Sequence, residues 1–180
     1  MKRFSFFLLY LSCLSAELPC FDLSIGCGVQ YEHSHCTPYG RSEAGIGWEG
    51  FFAQYQADVG NLLWNQRATL SYDFSLLCFH FLPVAGWNQF ESHSLVFSGP
   101  FVGADAGLSL GPISLSAGYR YTFDGRTDGQ IGIASIGWFI LPLLSLYLEG
   151  EGRFFNRISF DPFHHHWDSY DLTAGALFSF

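Results

Sequence analysis

Beyond position 16 the sequence has no lysine. Lys2 is its only one, so from Glu17 onward six arginines stand against sixteen carboxylates, a formal charge of −10. That balance argues against nucleic acid as a partner, because phosphates want Lys and Arg. Charge of either sign is scarce: 13% of the residues are charged, against about 25% in an ordinary soluble domain. Long apolar runs are missing as well. A helix needs about 20 predominantly apolar residues to cross a bilayer. Past the leader the longest uninterrupted run, leaving Pro142 aside, is Trp138 to Leu144. Yet hydrophobic residues make up 49% of the chain and aromatics 19%. A greasy chain without a membrane helix has one other way to span lipid with its backbone satisfied, a closed β-barrel.

The leader itself has a basic start, Lys2-Arg3, an apolar stretch from Phe4 to Leu14, and a small residue, Ala16, before Glu17. Residues 1–16 read as a secretory signal peptide and 17–180 as the exported domain. Acylation at Cys13 or Cys20 is the weaker alternative, since the residues before either make a poor lipobox.

Period-two alternation, the mark of a half-buried strand, recurs along the exported part. Phe21, Leu23, Ile25, Cys27, Val29 and Tyr31 alternate with polar or small residues. A second strand runs from about 43 to 59, with a phase slip at Gly50-Phe51-Phe52 read as a bulge. Others cover 68–76, 94–110, 113–123, 130–140 and 144–154. The last strand carries Tyr170, Leu172, Ala174, Ala176, Phe178 and Phe180 on one face, with Leu177 out of phase. The expected fold is all-β: an eight-stranded antiparallel up-and-down transmembrane β-barrel. Long connections at 33–42, 80–93 and 155–169 fall outside, and short ones at 111–112 and 141–143 on the periplasmic side. The segment 60–66 is too long for its place in this scheme.

A soluble lipocalin-like barrel would also show eight alternating strands, with its apolar face inward. The polar faces decide against it, because they carry Gly, Ser and Thr rather than the long charged side chains of a wet surface. Small residues suit the interior of a narrow barrel.

With these features the chain resembles the eight-stranded bacterial outer-membrane barrels: the OmpA membrane domain, OmpX and the Opa proteins. The resemblance runs from Phe21 to Phe180 and is most specific in the last strand. It implies that Tyr170, Leu172, Phe178 and Phe180 form the signal read by the barrel-assembly machinery. It also implies residence in the outer membrane of a bacterium, in contact with its lipid, with outer loops open to a host or surface ligand. A structural or surface-interaction role follows.

Inside the barrel, Asp22, Asp73, Arg120, Glu149, Glu151 and Arg153 are expected to share the lumen, with Glu49 and Asp105 as less certain members. Charges in an enclosed space must be paired. A structural salt-bridge plug is favoured over a gated ion path, because so narrow an interior is filled by side chains.

The histidines gather at the outer rim in this scheme: His33, His35, His80, His93, His164, His165 and His166. Of these, His33, His35, His93 and His164–His166 are candidate metal ligands, since imidazole suits Zn, Cu or Ni. A polar, titratable loop surface, for which His is ordinary, is favoured over a metal site. A lipid A-modifying enzyme would use Ser and His near the outer leaflet. However, His33-Ser34-His35 and His93-Ser94-Leu95 depart from the His-x-Ser-Asn pattern of the deacylases. No catalytic residue and no cofactor is therefore assigned, and the chain is expected not to be an enzyme. Cys20, Cys27, Cys36 and Cys78 sit in an oxidising compartment, but Cys27 and Cys78 lie on strands that are not neighbours in this scheme.

Overall fold

The computed structural model describes residues 19–32, 35–93, 95–124, 127–157 and 166–180. The expected signal peptide lies outside them, as do His33, His164 and His165. The described residues form eleven antiparallel strands. They are β1 (Cys20–Glu32), β2 (His35–Trp48), β3 (Phe51–Gly60), β4 (Trp64–Tyr72), β5 (Phe74–Leu76), β6 (Phe79–Glu91), β7 (Val96–Leu110), β8 (Ile113–Phe123), β9 (Thr127–Leu141), β10 (Leu144–Arg157) and β11 (His166–Ser179). Hydrogen bonding runs β4-β3-β2-β1-β11-β10-β9-β8-β7-β6, and a β4–β6 pairing closes the ring. The barrel therefore has ten strands, with β5 outside the ring as a short extension paired only to β6.

The ring is larger than the eight strands expected because two hairpin turns lack the usual turn chemistry. Two-residue hairpin turns favour Asn-Gly or Asp-Gly, since both central residues need positive φ. The slip at 50–52 is such a turn rather than a bulge. Glu49 and Gly50 adopt φ of 50° and 85° between β2 and β3. The second hidden turn is Leu77-Cys78, with Leu77 at φ 57°. Segment 80–93, expected as a loop, is β6, and most of 33–42 is β2. Pro83, which cannot donate to a ladder, is accommodated within β6. It lies opposite the interruption at Asp73, where the β4–β6 register stops at Ser71↔Val84 and the β5–β6 register begins at Phe74↔Phe81.

At the end where β1 begins and β11 finishes, here the base, every turn has two residues: 49–50, 77–78, 111–112 and 142–143. At the opposite end, the rim, the connections are 33–34, 61–63, 92–95, 124–126 and 158–165. The awkward segment 60–66 thus becomes a rim turn. Phe180 is held at the base by Phe21, whose amide donates to its carbonyl at 3.2 Å and whose carbonyl accepts from its amide at 2.8 Å.

The exterior is apolar all round. Leu, Ile, Val and aromatic side chains point outward from every strand of the ring, including Leu23, Ile46, Tyr55, Leu70, Phe81, Val102, Leu115, Ile136, Leu148 and Leu172. Leu177 is not an exception to the alternation of β11: it faces inward and is 1% exposed.

The interior is less uniformly small than expected. A ten-stranded ring encloses more volume than an eight-stranded one, and large side chains fill it. Inward glycines act as sockets for them. A Cβ at Gly175 would lie 2.5 Å from the Tyr147 ring, and one at Gly129 would lie 2.5 Å from Phe155. At Gly86, on the closing strand β6, it would lie 1.9 Å from the Ala68 carbonyl and 2.8 Å from the Phe101 ring. Backbone cannot move aside as a side chain can, and overpacking costs about 1–3 kcal/mol. Gly86→Val should therefore impair ring closure. The check is the heat-sensitive fast-migrating band of the refolded protein on a detergent gel, expected to weaken sharply in the variant.

Candidate functional site

The polar lumen is a belt of ion pairs between two apolar layers. Arg41 of β2 grips Asp58 of β3 with both Nε (2.7 Å) and Nη2 (3.1 Å), and its Nη1 bonds to Glu149 of β10. Asp58 also accepts from Gln56 at 3.0 Å and Asn65 at 2.8 Å. Arg67 of β4 pairs with both oxygens of Glu151 of β10, at 2.6 and 3.2 Å. Arg153 adds its Nε to Glu151 at 2.7 Å and pairs through Nη1 with Asp171 of β11 at 2.5 Å. β4 and β10 are five places apart in a ring of ten. The Arg67–Glu151 pair thus joins opposite walls.

Such an arrangement follows from local geometry. Alternation turns Glu149, Glu151 and Arg153 to one face of β10, as expected. Forked guanidinium–carboxylate contacts then fix direction as well as charge. Arg120 is also inward, but it pairs with Asp105 of β7 at 3.2 Å. Asp22 is buried on the lumen face of β1, nearer the base. Two expectations need correction. Asp73 is not in the belt, because it sits at the β4–β5 interruption at the base, 3.8 Å from His80. Glu49 is an exposed turn residue. The sequence reading missed Arg41, Asp58 and Arg67, which fell in segments whose strands were misdrawn. Asp171 was already on the polar face of the last strand, but nothing in the sequence pairs it with Arg153.

Above the belt, Leu63, Phe90, Phe97, Phe155 and Trp167 form a buried cluster with Tyr39. Phe155 lies 5.1 Å from Phe97 and 5.4 Å from Trp167, ring centre to ring centre, and Phe90 lies 5.1 Å from Trp167. Both polar aromatics are bonded: Trp167 Nε1 donates to Glu32 at 2.6 Å, and the Tyr39 hydroxyl meets Thr173 Oγ1 at 2.5 Å. The Arg153 guanidinium lies 4.8 Å from the centre of the Phe90 ring, tying the layers together by a cation–π contact. Below the belt, Leu82, Val84 and Phe101 pack together. Belt and aromatic layer together fill the middle and upper lumen with buried side chains.

His35 of β2 and His93 of the 92–95 turn are brought together at the rim, with ring centroids 5.9 Å apart. His166 lies at the start of β11, across from Asn156. No cluster of three or more His, Cys, Asp or Glu suited to a metal occurs among the described residues. His80 is a further correction, for it is at the base and not the rim. Cys20 Sγ donates to the Gly47 carbonyl at 3.6 Å, Cys27 and Cys36 are exposed thiols, and Cys78 is a partly exposed one. Tyr170, Leu172, Phe178 and Phe180 all face outward from the last strand, as the alternation required.

Arg153 is 0% exposed. Its removal leaves Glu151 and Asp171 less compensated, and breaking a buried pair from one side costs about 3–5 kcal/mol. Arg153→Met should therefore lower the urea midpoint of the folded barrel substantially. Adding Asp171→Asn should recover part of the loss.

No family model and no curated protein matches the sequence. Solved structures do match. The outer membrane protease OmpT from Escherichia coli aligns with a TM-score of 0.51 at 10% identity, over 92% of this chain and 98% of that one. The KdgM porin aligns at a TM-score of 0.49 and 13% identity, over 87% and 99%. Neisserial surface protein A aligns at 0.40 and 14%, over 90% and 97%. At such identities the likeness is one of fold. The OmpT superposition carries it, and no OmpA, OmpX or Opa subfamily is singled out. The chain has the closed antiparallel barrel fold seen in outer-membrane proteins.

Proposed function

We propose that this protein is a small bacterial outer-membrane barrel with a structural or surface-interaction role, presenting its rim hairpins to the environment. One observation carries the reading: the molecule is inside out. Its ion pairs are sequestered in the lumen, while its apolar side chains cover the outer wall. Water would not favour that partition, whereas hydrocarbon requires it. Two aromatic belts support the same placement. Phe21, Trp48, Phe51, Trp138 and Phe180 ring the base, and Tyr31, Trp64, Trp87, Tyr121 and Tyr170 ring the rim. Rings at those heights suit headgroup depth. The short base turns then face the periplasm, and Tyr170, Leu172, Phe178 and Phe180 offer their outward face to lipid and to the assembly machinery.

A crossed charge belt under an aromatic layer favours a closed scaffold over a small ion pore. The test is refolding into detergent and then into planar bilayers. The expected result is a heat-shifted gel band and no stepwise conductance. A protein that is monomeric and folded without detergent would overturn the membrane assignment, and regular single-channel steps would overturn the closed lumen.

The His35–His93 approach favours a second reading, transition-metal binding at the rim, where two imidazoles from separate hairpins could share an ion. Titration of Ni or Zn into the refolded protein should then show an affinity at least about tenfold weaker in His35→Ala/His93→Ala, within the usual cost of losing metal-site groups. Equal affinity would discard the pair.

A further inference from the structure

The base of the barrel holds a polar group that the lumen belt does not use. Asp73, His80 and Ser109 lie in a row. His80 Nε2 is 3.2 Å from Ser109 Oγ, and its Nδ1 is 3.8 Å from Asp73 Oδ1. The three come from different places: the interruption between β4 and β5, the start of β6, and the lower end of β7. Each is positioned by backbone or neighbour. The Asp73 amide donates to the Gly50 carbonyl at 2.8 Å, and Ser75 Oγ donates to Asp73 Oδ1 at 2.9 Å. The Ser109 amide donates to the Cys78 carbonyl at 2.9 Å, which sets Ser109 beside the β5–β6 hairpin tip. His80 is 4% exposed, whereas Ser109 is partly open.

We infer that Ser109, His80 and Asp73 form a nucleophilic triad at the base of the barrel, acting on carboxylic esters of fatty acyl chains. A serine hydroxyl becomes a nucleophile when an imidazole within hydrogen-bond reach takes its proton and a carboxylate orients that imidazole. With the proton of the neutral ring on Nδ1, facing Asp73, Nε2 is free to accept from Ser109. The Asp73–His80 separation is longer than a hydrogen bond, as catalytic contacts often are before substrate tightens them.

The surroundings choose the substrate. The hairpin tip is greasy: Leu77 is 85% exposed, and Leu76, Phe79 and Leu110 are exposed beside it. Ser109 is on the lumen side of that tip, in phase with His80 and opposite in facing to Leu76, Phe79 and Leu110, so an acyl chain would bring its ester carbonyl round the tip to Ser109 from the base. In the reaction Ser109 Oγ bonds to the carbonyl carbon while its proton passes to His80 Nε2. The ester C–O bond breaks, and the departing alcohol takes that proton. Water, deprotonated by the same nitrogen, then attacks the acyl carbon; the acyl–serine bond breaks, Ser109 Oγ takes the proton back from His80, and the fatty acid is released. Asp73 touches no substrate and is a positioning residue. The choice of lipid esters rests on the membrane reading above, whereas the triad itself does not.

The test uses the full chain refolded in detergent, with folding checked for every variant by the heat-shifted band. A fluorophosphonate probe should label wild type at Ser109 and leave Ser109→Ala unlabelled. Hydrolysis of long-chain p-nitrophenyl esters should fall at least about a hundredfold in Ser109→Ala and His80→Phe, within the range for loss of a triad member. Asp73→Asn should lower kcat with little change in KM. Leu77→Asp should slow long-chain but not short-chain esters. Folded wild type that is neither labelled nor hydrolytic, or Ser109→Ala labelled equally, would overturn the triad. An unchanged chain-length preference in Leu77→Asp would overturn the acyl-chain assignment. A protein that labels yet needs no detergent would overturn the membrane reading and leave the triad standing.

Discussion

Ring closure is the constraint on which the rest of the structure depends. An apolar outer wall cannot coexist with free strand edges, because unpaired amides and carbonyls have no partner in hydrocarbon. β4 pairs with β6, and β1 pairs with β11 along nearly its whole length. The ring therefore has no open edge among its ten strands, and β5 forms only a short arm at the base. Strand number then sets the volume inside, and that volume dictates what the lumen must contain. Glycine sockets and aromatic rings answer it near both ends, and arginine–carboxylate pairs answer it at the centre.

The central pairs do more than fill space. A buried ion pair is weak evidence for stability, because desolvation offsets much of the attraction. Its value is directional. Arg67 reaches across to Glu151, and Arg41 joins Asp58 to Glu149 past β1 and β11. Charges of one sign on one wall are matched by those on another, so a register slip in any strand would leave several buried charges unmatched. The aromatic layer above is tied to those contacts by the approach of Arg153 to the Phe90 ring. Together they line the space between rim and base with buried side chains.

Much of this was legible in the residues. The alternation of β1, β8, β10 and β11, the outward Phe180 and the inward row Glu149-Glu151-Arg153 all follow from a period of two. Strand number was not legible, because Glu49-Gly50 and Leu77-Cys78 turn the chain without the expected turn residues. That one miscount displaced His80 from base to rim, hid Arg41 and Arg67, and made the lumen look narrower than it is. It also concealed the neighbours of Ser109, since His80 was placed in an outer loop and nothing set it beside Asp73.

Composition and alternation by themselves determined an acidic, β-rich chain with one greasy face and one polar face, because those properties are sums or local periodicities. Only the tertiary structure decided how many strands close the ring and which side chains meet across it. Contacts such as Arg67–Glu151, His35–His93 and His80–Ser109 join residues far apart in the chain. Their distances depend on register and curvature accumulated over whole strands, which no short stretch of sequence contains.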